Sequence, residues 1–120
     1  KFDIILMFEV LEHLDNWKKT IKNIKKNLNK NGTVIISTIN RNLISKLLAI
    51  NLAENVLNWI PKGTHDYNKL IKPEELKNTL SKENFRFNNI KGLVFDPLKR
   101  EWKLSKNHMI NYFCTANLIN

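Results

Sequence analysis

Residues 2–14 form an apolar run that ends in two acids and a histidine: Phe2-Asp3-Ile4-Ile5-Leu6-Met7-Phe8-Glu9-Val10-Leu11-Glu12-His13-Leu14. The continuous run from Phe2 to Met7 is typical of a strand buried on both faces in a parallel sheet. Glu9, Glu12 and His13 follow at spacings of i, i+3 and i+4, which share one face of a helical turn. Because open α/β sheets bind ligands beyond the carboxyl ends of their strands, this motif predicts a site for a divalent cation or for proton transfer.

The next segment predicts a βαβ unit. Asp15 or Asn16 caps a helix that extends to about Leu28, because apolar residues recur there every three or four positions. Asn31-Gly32 tolerates a left-handed conformation after that helix, and the β-branched run 33–38 is typical of a second strand. Two strands joined through a helix lie parallel with a right-handed crossover, so we expect an α/β fold.

A second helix is predicted from Ser45 to Ile60, before Pro61. It is mostly apolar, with a narrow polar stripe made of Asn51, Glu54, Asn55 and Asn58. The loop that follows, 62–67, contains Gly63 and His65 and has the composition of a mobile lid.

The last third of the chain predicts one helix and two strands. Pro73 and the acids after it favour a helix that stops near Lys82. Residues 85–94 and 109–116 read as strands separated by a loop that contains a proline, and we expect them to form an antiparallel pair at the sheet edge.

The amino-acid composition is basic, but it does not indicate a particular binding partner. The 120 residues carry a net charge of +9, but only three of the twenty basic residues are arginine, the residue that favours bidentate phosphate contacts. Lysine, asparagine and isoleucine make up 50 residues, so we attribute the basicity to compositional skew and expect no nucleic-acid partner. The single Cys114 excludes an intramolecular disulfide and reads as a buried small side chain. No apolar stretch approaches the ~20 residues of a membrane span.

The motifs, taken in order, resemble those of class I S-adenosylmethionine-dependent methyltransferases. The superfamily features are Phe2-Asp3 at a strand start, Glu9-Val10-Leu11-Glu12-His13 after it, a helix, and Asn31-Gly32 before a strand that ends in Ser37-Thr38. A narrower resemblance is to the O-methyltransferases of ubiquinone biosynthesis, the UbiG type. It is carried by Ser37-Thr38-Ile39-Asn40-Arg41-Asn42, Pro61-Lys62-Gly63-Thr64-His65-Asp66-Tyr67 and Ile71-Lys72-Pro73-Glu74-Glu75-Leu76, and it continues through Gly92-Leu93, Asp96-Pro97-Leu98 and Asn111-Tyr112.

This resemblance implies a fold, a reaction and a substrate. It implies the carboxyl-terminal half of a Rossmann-like methyltransferase fold: residues 1–120 as one partial domain, with an amphipathic helical insertion at about 43–67. It also implies methyl transfer from S-adenosylmethionine to a catechol hydroxyl of a polyprenylated ubiquinone precursor. The family's glycine-rich donor loop is absent from these 120 residues, so we expect this fragment to be inactive alone.

The resemblance also implies roles for particular residues. Phe8 corresponds to a residue that touches the methyl donor, while Glu9, Glu12 and His13 correspond to ligands of a divalent cation of the magnesium type. A cation would acidify the catechol; the alternative is a general base, either His13 or His65. The hypothesis we favour is metal-assisted deprotonation with His13 as a ligand.

The family's substrate implies contact with a membrane. The amphipathic helix at 45–60, with Trp59 near its end and lysines around it, fits docking on anionic lipid. We therefore expect a cytoplasmic protein attached peripherally to the inner membrane, in contact with other enzymes of ubiquinone biosynthesis. The alternative function is a non-catalytic basic α/β module that docks on anionic membrane or nucleic acid.

Overall fold

A five-stranded sheet with two packed helices forms the body of the protein in the computed structural model, which describes residues 1–119. The strands are β1 (Phe2–Phe8), β2 (Leu28–Ile39), β3 (Phe85–Asp96), β4 (Glu101–Ser105) and β5 (Asn111–Leu118). The α-helices are α1 (Trp17–Asn27), α2 (Leu43–Ser45) and α3 (Pro73–Lys82); α2 continues as a π-helix (Lys46–Val56), and Leu11–His13 and Tyr67–Lys69 are 3₁₀ turns.

The predicted βαβ unit is confirmed. β1 and β2 pair in parallel, and the Asn16 side chain caps α1 by accepting a hydrogen bond from Lys19 N at 3.1 Å. The helix ends at Asn27 and β2 begins at the next residue, earlier than the sequence predicts. Asn31 has the expected left-handed conformation, with φ of 61°, but it lies within β2 instead of ending α1.

The prediction that the first strand is buried on both faces is wrong. Met7 lies in the core with Val34 and Ile36, under α1 and α3. On the other side of the strand, Leu6 is 57% exposed and Ile4 is equally open. The physical reason is that the packed helices lie on one face of the sheet, whereas a run of apolar residues looks the same in sequence whether one or two faces are covered.

The two late strands pair antiparallel, as predicted, but they do not form the sheet edge. The strand order is β1-β2-β5-β3-β4, so β5 lies between β2 and β3 and pairs antiparallel with both. The segment predicted as a loop contains β4, which pairs with β3 as a hairpin. The Tyr112 hydroxyl of β5 donates to the Ile71 carbonyl at 2.8 Å, which attaches the segment before α3 to the middle of the sheet.

The helix predicted over 45–60 is present from Leu43 to Val56, but its polarity differs from the prediction. Glu54, a member of the predicted polar stripe, is only 1% exposed, and it is the buried side chain of the π-helix. Large apolar residues of this segment face solvent instead, among them Leu47, Leu52 and Val56. In a π-helix the i→i+5 hydrogen bonds widen the turn, so a stripe drawn at the α-helical period does not lie on one face. Among the described residues, no helix has the length and apolarity that a membrane crossing requires.

Candidate active site

The acidic motif lies at the carboxyl end of β1, held against the neighbouring strand. The Glu9 backbone N–H donates to the Ser37 carbonyl at 3.0 Å, and Ser37 Oγ donates to Glu9 Oε1 at 3.0 Å. Glu9 itself has φ of 52°, a left-handed conformation that costs a non-glycine residue about 1 kcal/mol. The chain therefore bends at Glu9 and continues as the 3₁₀ turn Leu11–His13, so the motif occupies a bend and a turn instead of one helix face.

Glu9 and Glu12 form a neighbouring pair of carboxyl groups. Although Glu9 is exposed as a whole residue, partial burial of its carboxyl group and the adjacent Glu12 carboxyl raise the pKa of Glu9 to about 7. Burial disfavours the charged form of Glu9, and a second negative charge beside Glu12 disfavours it further, which is why the pKa of Glu9 lies near neutral pH. Such a pair can accept or deliver a proton in the range where enzymes work.

Glu12 is the most unusual side chain of the motif. It is 3% exposed, and neither of its carboxylate oxygens has a hydrogen-bond donor among the described residues. A buried carboxylate without a donor is costly for folding. Ligand atoms of Glu12, His13 and His65 all lie within 4.8 Å of one another, so the unpaired acid faces two imidazole groups that can supply a proton or share a cation.

His65 comes from the 62–67 loop, far from the motif in sequence. Its ring lies 5.8 Å from the His13 ring, centroid to centroid. Its Nδ1 is 2.8 Å from Glu54 Oε1, and its side chain is 9% exposed. The two histidines that the sequence predicts as catalytic are therefore brought together, whereas Glu9 lies outside the group of atoms that could share one cation.

Glu54 is the site residue that sequence reasoning missed. The sequence places it on the polar stripe of the second helix and gives it no role, yet its carboxylate contacts His65. A usable signal was present: Glu54 is the only acidic residue between Asp15 and Asp66. Because an acid is almost never fully buried unless it is paired, an isolated acid within the mostly apolar helix could have prompted a search for a buried partner.

Two further residues of the sequence motifs make contacts outside this cluster. Phe8 ends β1, half exposed, with its ring edge-on to Phe113 at 5.4 Å between centroids; its role at the methyl donor stays a prediction. Arg41 pairs with Glu75 and donates to the Leu70 carbonyl, which is a structural role.

A cleft of about 620 Å³ opens beside the loop that carries His65. It is lined by the segment after β2, by Tyr67 and by the start of α3, and Glu12, His13 and His65 are not among its lining residues. The cleft and the cluster of Glu12, His13 and His65 are therefore separate features, connected along the chain through the loop that carries His65 and Tyr67.

Comparison with known proteins places the chain in a family. The model of a methyltransferase domain matches residues 1–89. A curated ubiquinone biosynthesis O-methyltransferase of Rickettsia conorii is 45% identical over 112 residues, which is 93% of this chain and 39% of that protein. One of Rhizobium etli with the same name is 39% identical over 115 residues, covering 96% of this chain and 46% of that protein. The chain thus spans less than half the length of these relatives.

Solved structures agree on the fold. A methyltransferase of Thermotoga maritima, described as a possible histamine N-methyltransferase, has a TM-score of 0.63 at 17% identity over 97% of this chain and 56% of its own. The magnesium protoporphyrin IX methyltransferase of Synechocystis, solved with bound S-adenosylhomocysteine, has a TM-score of 0.61 at 13% identity, over 98% of this chain and 45% of its own. From the matched domain, the sheet and the motif after β1, we conclude that this chain belongs to the S-adenosylmethionine-dependent methyltransferase domain family, with the partial Rossmann-like fold of class I.

Proposed function

We propose that this chain is the carboxyl-terminal half of an O-methyltransferase domain that methylates a catechol hydroxyl on a polyprenylated ubiquinone precursor. The observation that carries the proposal is Glu12: a buried carboxylate without a donor, facing two imidazoles at the end of a strand. Such an arrangement is unfavourable for folding and typical of a functional site. The shared name of the relatives supports the reaction and the pathway.

The residues of the cluster suit the first step that catechol methylation requires. A phenol, with a pKa of ~10, is a poor nucleophile at pH 7 until it loses its proton. In this proposal His13 or His65 accepts that proton, and the Glu12 carboxylate stabilises the imidazolium that forms. The catechol oxygen then bonds to the methyl carbon as the carbon–sulfur bond of the donor breaks, so the protein contributes mainly alignment.

The same side chains fit a divalent cation. Glu12 offers carboxylate oxygens without other partners, and His13 and His65 offer ring nitrogens within 4.8 Å of them. Imidazole ligands favour zinc, manganese or iron over the magnesium that the resemblance implies. A bound cation would lower the pKa of a catechol oxygen. The role of Glu9 as a ligand stays a prediction. Its carboxylate lies outside this group of atoms and accepts a hydrogen bond from Ser37.

We propose that the uncovered face of the sheet is where the rest of the methyltransferase domain packs. Leu6 and Phe8 of β1, with Ile35 and Phe113 on the adjacent strands, form an apolar surface on the side away from α1 and α3. A sheet of this type buries both faces in a complete α/β domain. In this proposal the fragment alone is inactive, and Phe8 reaches the methyl donor only in the completed domain.

Fragment complementation tests the proposed function. We would co-express this chain with the part of the Rickettsia conorii relative that it does not match, then measure S-adenosylhomocysteine binding by calorimetry and methylation of a short-chain prenylated catechol. We expect activity from the complex and none from this chain alone. A complex that binds S-adenosylhomocysteine but leaves the catechol unmethylated would contradict the proposed substrate.

Two further arms of this experiment separate the roles within the site. Glu12→Gln should lower kcat at least ~100-fold, while Glu101→Gln, on the strand at the opposite edge of the sheet, should leave it unchanged. A chelator distinguishes the two mechanisms: loss of activity with EDTA supports the cation, and unchanged activity assigns deprotonation to a histidine alone.

We also propose that the segment 45–60 contacts anionic lipid from the cytoplasmic side of the inner membrane. Leu47, Leu52 and Val56 are exposed, and Trp59, 72% exposed, lies near its end. Exposed apolar side chains flanked by lysines are typical of interfacial helices. This contact would bring the site to a substrate whose prenyl tail lies in the bilayer.

A further inference from the structure

A single buried carboxylate organises the loop that carries His65. Glu54 Oε2 accepts from Gly63 N at 3.1 Å, and Glu54 Oε1 accepts from His65 N at 2.9 Å. The same Oε1 is 2.8 Å from His65 Nδ1. The loop thus folds around an acid on the π-helix, whose leucines and Val56 are exposed to solvent.

The third contact constrains the chemistry of the imidazole. A carboxylate only accepts hydrogen bonds, so Nδ1 must carry the proton in this contact. In the neutral ring the lone pair then belongs to Nε2, and the tautomer of a histidine is set by the partner of its other nitrogen. With Nδ1 occupied by Glu54, Nε2 is the nitrogen of His65 that is available to a ligand or to a proton.

We propose that Glu54 is a positioning residue, whose carboxylate holds His65 in the Nδ1–H tautomer and so presents Nε2 as the acceptor in the cluster with Glu12 and His13. The chemical purpose of this role rests on the proposed function, because an acceptor nitrogen is what a cation or a catechol proton needs. The tautomer itself depends only on the Glu54–His65 contact and can be measured without metal or substrate.

A purely structural role for Glu54 makes a different prediction. If the carboxylate served only to close the loop, the two backbone contacts to Gly63 and His65 would suffice, and the ring could adopt either tautomer. Carboxylates that orient a histidine in this way typically change ligand affinity by 10–100-fold when they are replaced. The tautomer therefore separates the positioning role from loop closure.

The experiment is a long-range nitrogen–hydrogen correlation spectrum of the histidine rings, recorded on this chain labelled with ¹⁵N at a pH where the rings are neutral. We expect the His65 ring in the Nδ1–H form in the wild-type chain. In Glu54→Gln, His65 should shift toward the Nε2–H form that a histidine side chain prefers in water. The control is Asn55→Ala, a change at the next, exposed position of the same helix, which should leave the His65 signals unchanged.

Two results would overturn the proposal: an Nε2–H ring for His65 in the wild-type chain, or an unchanged Nδ1–H ring in Glu54→Gln. The first of these is decisive even if the variant does not fold. A Co²⁺ titration followed by absorbance adds a second readout, in which Glu54→Gln should weaken binding at least ~10-fold. Absence of Co²⁺ binding in every chain would contradict the cation in the proposed function, while the tautomer result would still decide the role of Glu54.

Discussion

Glu9 combines a left-handed backbone conformation with a carboxyl group whose pKa is raised to near neutral. Its pKa is raised from 4.5 to about 7 by partial burial and by Glu12. A carboxyl group whose pKa is higher in the folded state binds protons more tightly there than when unfolded. Its stabilising contribution is therefore fully present below pH 4.5 and is lost as the pH rises through about 7.

We therefore predict that Glu9→Gln flattens the pH dependence of stability between these limits. A neutral amide at this position cannot ionise, so the free energy of unfolding of the variant should fall less over this range than that of the wild-type chain. Urea unfolding at a series of pH values measures this difference. Glu101→Gln, on the opposite edge of the sheet, is the control, and equal slopes for Glu9→Gln and wild type would contradict the prediction.

Cys114, unlike Glu9, is a titratable residue that burial makes chemically unreactive. The sequence interpretation as a buried small side chain is confirmed, since Cys114 lies in the core. Burial raises the pKa of its thiol to about 12. Because the thiolate is the reactive form, we predict that a thiol reagent at pH 8 labels the native chain only at the rate at which it unfolds. Rapid labelling in the absence of denaturant would disprove this.

At the scale of elements, Gly92 marks where β3 approaches the segment before β5. A Cβ atom at this position would lie 1.5 Å from the backbone oxygen of Asn107. Because the clash is with backbone, it cannot be relieved by the movement of a side chain. We predict that Gly92→Ala destabilises the chain by about 3 kcal/mol. Gly63→Ala is the comparison, because its Cβ meets nothing within 4 Å and only its positive φ of 78° opposes the change. Its cost should be about 1 kcal/mol, and equal costs in thermal unfolding would contradict the steric argument.

The proposed lipid contact of the segment 45–60 gives a second prediction at this scale. Replacing exposed Leu47 and Val56 together by glutamine should reduce sedimentation with anionic lipid vesicles without lowering the melting temperature, because neither side chain lies in the core. The matched control is Leu98→Gln, which changes a residue that is 95% exposed in the β3–β4 hairpin. Unchanged vesicle binding in the double variant would rule out this segment as the lipid contact.

For the whole molecule, the uncovered face of the sheet is where we propose that the rest of the domain packs. We predict that Leu6→Lys prevents complex formation with the unmatched part of a curated relative while leaving this chain folded, because Leu6 faces away from the helices. Co-purification and circular dichroism measure the two effects. Normal complex formation by this variant would mean that the face is covered by something else.

Much of this architecture was predictable from local sequence. The βαβ unit, the capping by Asn16 and the helix that starts at Pro73 follow from periodicity and end signals that act over a few residues. The spacing of Glu9, Glu12 and His13 also pointed to the segment that contributes Glu12 and His13 to the cluster with His65. These features depend on hydrogen bonds and packing between near neighbours, which a linear pattern records.

The tertiary structure was needed for the rest. It brings His65 beside His13, buries Glu54 against His65, inserts β5 between β2 and β3, and leaves one face of β1 open. Each of these depends on contacts between segments that lie far apart in the chain, or on the absence of a covering layer. A local pattern of apolar and polar residues carries no information about which distant element packs on which face, because the energy of such contacts is realised only when the whole domain assembles.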